Sequence, residues 1–327
     1  MTEEAEKDSE ELKEKKTENS DLTLPESADD VVSISSAEAL TSSETLPIVA
    51  QSRARVVLVA GEQKSGKTTL IASIFLCFQR GPFADLRFEH SATLRGLERR
   101  SWLSRTASMG SAADTERTRV GSRNYLHLKL KDLNLVSHDL LFCDLSGEIF
   151  ERVINSPASA AEIEELDRID HLTLLIDGAK VRRLDQRQGA QRDARLLLRG
   201  LLDAGALSRS VPIEVVFTKI DLLTSGPMEN ESDVDPTLFA SEDDSRSFIE
   251  SIRNEIEREF KDRADTLRFF ETVARDKDEI HKLGAGIDGL LQKWIGELRP
   301  PSPTLEPLGI ISGGREIDKF SEREMGS

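Results

Sequence analysis

Residues 61–68 read Gly-Glu-Gln-Lys-Ser-Gly-Lys-Thr, a G-x-x-x-x-G-K-T pattern, and their flanks constrain the fold more than anything else in the chain. Before them runs Arg55-Val56-Val57-Leu58-Val59-Ala60, with the composition of a buried parallel strand. After them runs Thr69-Leu70-Ile71-Ala72-Ser73-Ile74-Phe75-Leu76, which reads as a helix. Strand, glycine-rich loop and helix in that order are the context of a phosphate-binding P-loop. Gly61 and Gly66 lack Cβ, so the backbone can curl and approach an anion closely. The N–H groups of Glu62, Gln63, Lys64, Ser65 and Thr69, with the helix start, point at the phosphates. Lys67 can bridge the β- and γ-phosphates, and the Thr68 hydroxyl can bind Mg²⁺.

Apolar strand-like runs alternate with amphipathic helical runs from about residue 54 to 298, which predicts an α/β sheet with helices on both faces. Six strands are expected, over 55–60, 124–131, 138–144, 171–177, 213–218 and 267–271. Leu126, Leu128 and Leu130 alternate with polar residues, as in a half-exposed edge strand. The gap between that run and the next is too short for a crossover helix, so the two should pair antiparallel within a mostly parallel sheet. Phe248, Ile249, Ile252, Ile256 and Phe260 share one helical face, and so do Ile287, Leu290, Leu291, Trp294, Ile295 and Leu298. Both faces read as ordinary core.

Three strand ends carry further polar signatures. Phe142-Cys143-Asp144-Leu145-Ser146-Gly147 holds D-x-x-G: Asp144 can support the Mg²⁺ shell, and the Gly147 N–H can meet a γ-phosphate. Thr218-Lys219-Ile220-Asp221 is T-K-x-D. Its carboxylate can accept from guanine N1–H and the 2-amino group, and adenine offers neither donor there. The Lys219 stem can lie along the base. Glu271-Thr272-Val273-Ala274-Arg275 resembles the E-T-S-A-K element with which Ras-like GTPases cradle guanine O6 by a backbone N–H, with Val273 in place of the serine.

On these elements, in this order, residues 54–298 resemble a P-loop GTPase of the TRAFAC class. The segments Arg80-Gly81-Pro82-Phe83-Ala84 and Asp114-Thr115-Glu116-Arg117-Thr118 are similar to the bacterial double-GTPase family. The resemblance implies GTP or GDP with Mg²⁺ as ligands, GTP hydrolysis, and a role in bacterial signalling or conflict. It also implies an effector or activating protein that binds the switch regions.

Two departures from the class matter. Lys67 and Asp144 lie much further apart than in a minimal Ras-like domain, so switch I should be enlarged, over about residues 80–123, with helical parts around Arg95–Ser108. The class needs a switch I threonine on Mg²⁺ and the γ-phosphate. Thr118 suits best, Thr115 is second, and Thr93 and Thr106 follow. Glu148 stands where Ras-like members carry the glutamine that orients the attacking water. A carboxylate cannot donate to the γ-phosphate and is repelled by it, so intrinsic hydrolysis should be slow. A partner could supply an arginine, or Arg117 or Arg119 could serve. The rival reading is a nucleotide-loaded interaction module with negligible turnover. An ATP-dependent kinase or ATPase is a third, against which Thr218–Asp221 argue.

Charge is uneven along the chain. Residues 1–50 hold 14 acidic and 4 basic residues, and residues 51–130 hold 6 acidic and 14 basic. Residues 1–53 read as a disordered acidic tail and 299–327 as a disordered C-terminal tail. The basic excess, which includes Arg95, Arg99 and Arg100, could serve nucleic acid, phosphate or an acidic protein, or be a solvated face. Sparse aromatics leave no stacking platform, so nucleic acid is not the expected partner. The five histidines lack metal-ligand spacing. Cys77 and Cys143 lie in apolar segments and read as reduced core residues. With no transmembrane run and no secretory signal, the expected compartment is the cytoplasm.

Overall fold

The structure is a computed structural model that describes residues 37–106, 124–224, 234–274 and 283–296. At its centre is β1 (Arg55–Ala60), flanked by two parallel neighbours, β4 (Ser137–Asp144) and β5 (His171–Asp177). Beyond β5 come β6 (Ile213–Thr218) and β7 (Leu267–Glu271), both parallel. On the other side β4 pairs antiparallel with β3 (Asn124–Asp132), which pairs antiparallel with β2 (Leu86–His90). The sheet order is β2-β3-β4-β1-β5-β6-β7.

The β3–β4 turn shows why these strands reverse direction locally. Asp132 Oδ1 accepts from the N–H groups of Asn134 (2.8 Å) and Val136 (2.9 Å), and Leu135 sits at φ 65°. An aspartate that satisfies two turn amides replaces a crossover connection.

Successive residues of β1 point to opposite faces, and each face has its own core. Val57 and Val59 pack with Leu70, Ile71 and Ile74 of α2 (Lys67–Arg80) and with α8 (Ile287–Gly296). Leu58 and Ala60 belong to the other core. It includes Phe150 of α4 (Gly147–Asn155), Leu197 and Leu201 of α6 (Arg187–Asp203), and Ile249, Ile252 and Ile256 of α7 (Glu242–Phe260). Among the described residues the other α-helices are α1 (Ser42–Gln51), α3 (Leu94–Thr106) and the single turn α5 (Gly178–Val181). In α8, Trp294 is wholly buried, meets Phe142 edge-on at 5.5 Å and donates to the Thr173 hydroxyl at 3.2 Å. Removing such a side chain costs about 3–5 kcal/mol.

Three expectations change. The sheet has seven strands, because β2 forms the edge beyond β3. Its sequence, Leu-Arg-Phe-Glu-His, is mostly polar, and Phe83 and Leu86 tie its start by paired backbone bonds. Consequently β3 is not half-exposed: Leu126, Leu128 and Leu130 are buried on one face, and Tyr125 and His127 on the other. Residues 37–53 also depart from the disordered tail expected over 1–53. Leu40 is buried and exchanges two backbone hydrogen bonds with Tyr125. Glu44 accepts from both the N–H and the hydroxyl of Thr41, which starts α1. Residues 1–36 and 297–327, Leu298 among them, lie outside the described residues.

Candidate nucleotide-binding site

The loop after β1 is held open for an anion by its own backbone. Gly61 has φ 154°, and a Cβ there would lie 2.7 Å from Ser65 Oγ and 3.1 Å from the Leu175 carbonyl oxygen. Gly66, at φ 100°, is the N-cap of α2, and Lys64 also takes a left-handed backbone. Ser65 Oγ is buried inside this curl with no hydrogen-bond partner among the described residues, a cradle polar enough for a phosphate. Lys67 turns back over the loop and donates to the carbonyls of Gly61 and Glu62, each at 2.7 Å. Its ammonium lies 5.5 Å from the Phe150 ring centre. Burial pushes the Lys67 ammonium down to about 8, against the pull of Asp144, Glu151 and Glu62. Thr68 and Thr69, half-buried, occupy the first turn of α2. The Glu62 carboxylate is paired with Lys180 of α5.

From the far side β6 reaches in. The Thr218 hydroxyl donates to the Ser65 carbonyl at 2.8 Å. Lys219, at φ 56°, donates to the Lys64 carbonyl at 2.9 Å and to Asp177 Oδ2 at 2.7 Å. Asp177 Oδ1 accepts from the Ala179 N–H, which caps α5. Gly178 lets the ends of β5 and β6 pass: a Cβ there would be 2.4 Å from the Thr218 carbonyl oxygen. Asp221 sits half-buried in the 3-10 turn Ile220–Leu223.

The end of β7 closes against this region. Thr272 N–H donates to the Phe217 carbonyl and Ile220 N–H to the Thr272 carbonyl. Val273 is buried, and its N–H is spent on the Ala285 carbonyl at 3.0 Å. The Ala274 carbonyl accepts from Ser73 of α2 at 2.8 Å, so the β7 loop and the P-loop helix are tied directly. Gly286 is required for the approach, since a Cβ would be 1.9 Å from the Glu271 carbonyl oxygen. Arg275 lies outside the described residues.

On the third side is the end of β4. Asp144 is buried, and its Oδ2 accepts from Arg100 Nη2 of α3 at 3.0 Å. Gly147 lies flat against the P-loop: a Cβ there would be 2.9–3.0 Å from Gln63 Cγ, Cα and N. Ser146 caps α4 by accepting from the Glu148 N–H at 3.4 Å, which places Glu148, half-buried, in the first turn. Thr115, Arg117, Thr118 and Arg119 lie outside the described residues. Thr93 is wholly buried and its hydroxyl accepts from the His127 N–H at 2.9 Å, so it serves β3 rather than a ligand. Thr106 is the last residue of α3. Among the described residues no group of three or more His, Cys, Asp or Glu could hold a metal ion. None of their helices is long and apolar enough to cross a membrane.

The structure thus gathers the P-loop, Asp144, Gly147 and the Thr218–Asp221 turn at the ends of adjacent strands, and adds Arg100, Asp177, Gly178 and Gly286. No sequence pattern announced those four. This is a P-loop nucleotide-binding α/β domain. Residues 55–295 match the Double-GTPase 2 family, and the chain belongs to it. No curated protein matches. Among solved structures, the signal recognition particle receptor SRb-GTP/SRX complex from Chaetomium thermophilum is 14% identical, with a TM-score of 0.38, over 74% of this chain and 96% of that one. The translation elongation factor SelB from Methanococcus maripaludis, in complex with the GTP analogue GppNHp, is 12% identical, with a TM-score of 0.35, over 75% of this chain. This chain spans 34% of that factor.

Proposed function

We propose that this protein is a GTP-binding molecular switch of the TRAFAC class that hydrolyses GTP slowly and is speeded by a partner. The observation that carries the reading is the hydrogen-bonded seam between Thr218–Lys219 and the carbonyls of Ser65 and Lys64. It joins the Thr218–Asp221 turn to the phosphate loop, which supports reading the two as one site for base and phosphates. Lys67 then carries positive charge to the β- and γ-phosphates, and Asp221 accepts from guanine. The Ala274 N–H would border the base, and Gly147 would offer its N–H to the γ-phosphate.

Thr68, Asp144 and Thr118 would hold Mg²⁺, which supplies charge neutralisation at the β- and γ-phosphates when bound. Hard oxygen donors, with no closed protein cage among the described residues, suit an ion that shares its shell with phosphates. Glu148 stands in the first turn beside Gly147, where an anion orients water poorly. Unassisted hydrolysis should therefore run at or below about 10⁻³ s⁻¹. GTP would order switch I around Thr118 and switch II from Gly147 to about Ser156, and hydrolysis would release the partner surface. The setting this fits is a bacterial signalling or conflict system in the cytoplasm.

Glu148 also favours a second reading, a nucleotide-loaded module that does not turn over. Single-turnover phosphate release, with and without partner, separates the two. Mass spectrometry of the nucleotide retained by the purified protein, followed by competition of GTP against ATP, tests both. Equal competition by ATP would end the guanine reading.

A further inference from the structure

We propose that Arg100 is a built-in cation that competes with magnesium for the Asp144 carboxylate and thereby sets how much magnesium nucleotide binding requires. The inference rests on the nucleotide reading above and goes beyond it by assigning a role to the inserted helix α3.

Asp144 is 2% exposed and Arg100 18% at the side chain, and they meet at 3.0 Å. A buried carboxylate is costly unless it is paired, and the guanidinium provides that pairing. A divalent ion served by the same carboxylate would face a guanidinium within a few ångströms in a poorly screened site. Two like charges that close repel, so the guanidinium must withdraw for the ion to be held.

The pair is built rather than incidental, because α3 is fixed on several sides. Leu97 is wholly buried. The Leu97 N–H donates to the Thr93 carbonyl, and Ser91 and Thr93 are bonded to His127 of β3. A Cβ on Gly96 would lie 1.7 Å from the Glu38 carbonyl oxygen, so only glycine admits that close approach. Arg99, one residue away, turns outward to Glu38 at 2.9 Å. Arg100 alone of this pair turns inward, and its Nη1 is steadied by the Gly96 carbonyl at 3.2 Å. Lys67, whose ammonium donates to the Gly61 and Glu62 carbonyls, also feels the charge of Asp144.

The test uses the full chain and a fluorescent GDP analogue, with MgCl₂ titrated at fixed nucleotide. In wild type the half-effect magnesium concentration is set by displacement of Arg100. Arg100→Ala and Arg100→Gln should each lower it by at least about fivefold, and glutamine keeps a hydrogen-bonding side chain should alanine fail to fold. Arg100→Lys keeps the charge and should stay near wild type. Arg99→Ala, which removes the ion pair to Glu38 and leaves Arg100 in place, should not move it. An unchanged or raised magnesium requirement in the glutamine variant overturns the proposal, and so does wild-type binding that is indifferent to magnesium. Failure of wild type to bind guanine nucleotide at all would instead overturn the reading on which the proposal rests.

Discussion

On the side of the candidate site read as the base side, Thr218 at the end of β6 and Lys219 just after it donate into P-loop carbonyls more than 150 residues away in sequence, and Ser73 reaches the Ala274 carbonyl. On the metal side, the carboxylate at the end of β4 is held by an arginine from an inserted helix, and the switch threonine of choice lies outside the described residues. The first arrangement is preformed: neutral and charged donors meet backbone acceptors that no ligand needs. The second uses a carboxylate that, on the reading proposed above, a magnesium ion would need. Base and phosphate recognition should therefore behave as fixed geometry, and metal-dependent steps as an exchange of partners.

The largest break in that comparison comes from Asp221. Asp221→Asn should weaken GTP binding by about 100-fold, roughly 2.7 kcal/mol, while xanthosine triphosphate gains relative to it. A loss under about threefold by equilibrium titration would mean that the base side does not read guanine. Next is Lys67→Ala, expected to weaken triphosphate binding by at least about tenfold, or 1.4 kcal/mol.

Its titration sharpens the same point. The ammonium, pushed down to about 8 by burial, is the form that meets phosphate, and an anion at the site raises its proton affinity. Binding should be flat below that pH. Above it, binding must take up a proton, and affinity should fall by up to about tenfold per pH unit. Lys67→Ala should lack this slope in the same pH series. Thr218→Val keeps the shape but removes the bond to the Ser65 carbonyl. About 1 kcal/mol, a fivefold loss of affinity, is expected with no change in magnesium requirement. A shift in that requirement would show that the two sides are coupled. The smallest effect is at Glu148: Glu148→Gln should speed single-turnover hydrolysis a few-fold and leave GDP affinity alone. A wild-type rate near about 1 s⁻¹ without partner would show that this side is complete within the chain.

What could be read from sequence was local. The P-loop carries its meaning in eight consecutive residues, Asp144 ends the apolar run of β4, and Gly147 and Asp221 follow shortly after the apolar runs of β4 and β6. β2 was illegible because an edge strand needs only one good partner, and Arg87 and Glu89 break its apolar pattern. The Ala285–Val273 pairing was illegible because nothing near either residue announces the other. Arg100 was hidden among similar residues: a cluster of arginines reads as one solvated face, and only packing separates Arg99, outward on Glu38, from Arg100, inward on Asp144.

The position of α8 has a consequence for how the protein is made. Trp294 fills the sheet face beneath α2, wedged on Phe142 and bonded to Thr173, and Gly284–Gly286 brace the β7 loop. During synthesis the P-loop leaves the ribosome more than 200 residues before these groups do. Until residue 294 has emerged, the strands behind the nucleotide site expose an apolar face and lack their plug. The nascent chain therefore passes through a long interval in which the phosphate loop exists but its support does not. Sticky intermediates are the general hazard of such late closure. On this argument α8 would be the timing element that decides when the candidate site gains its support.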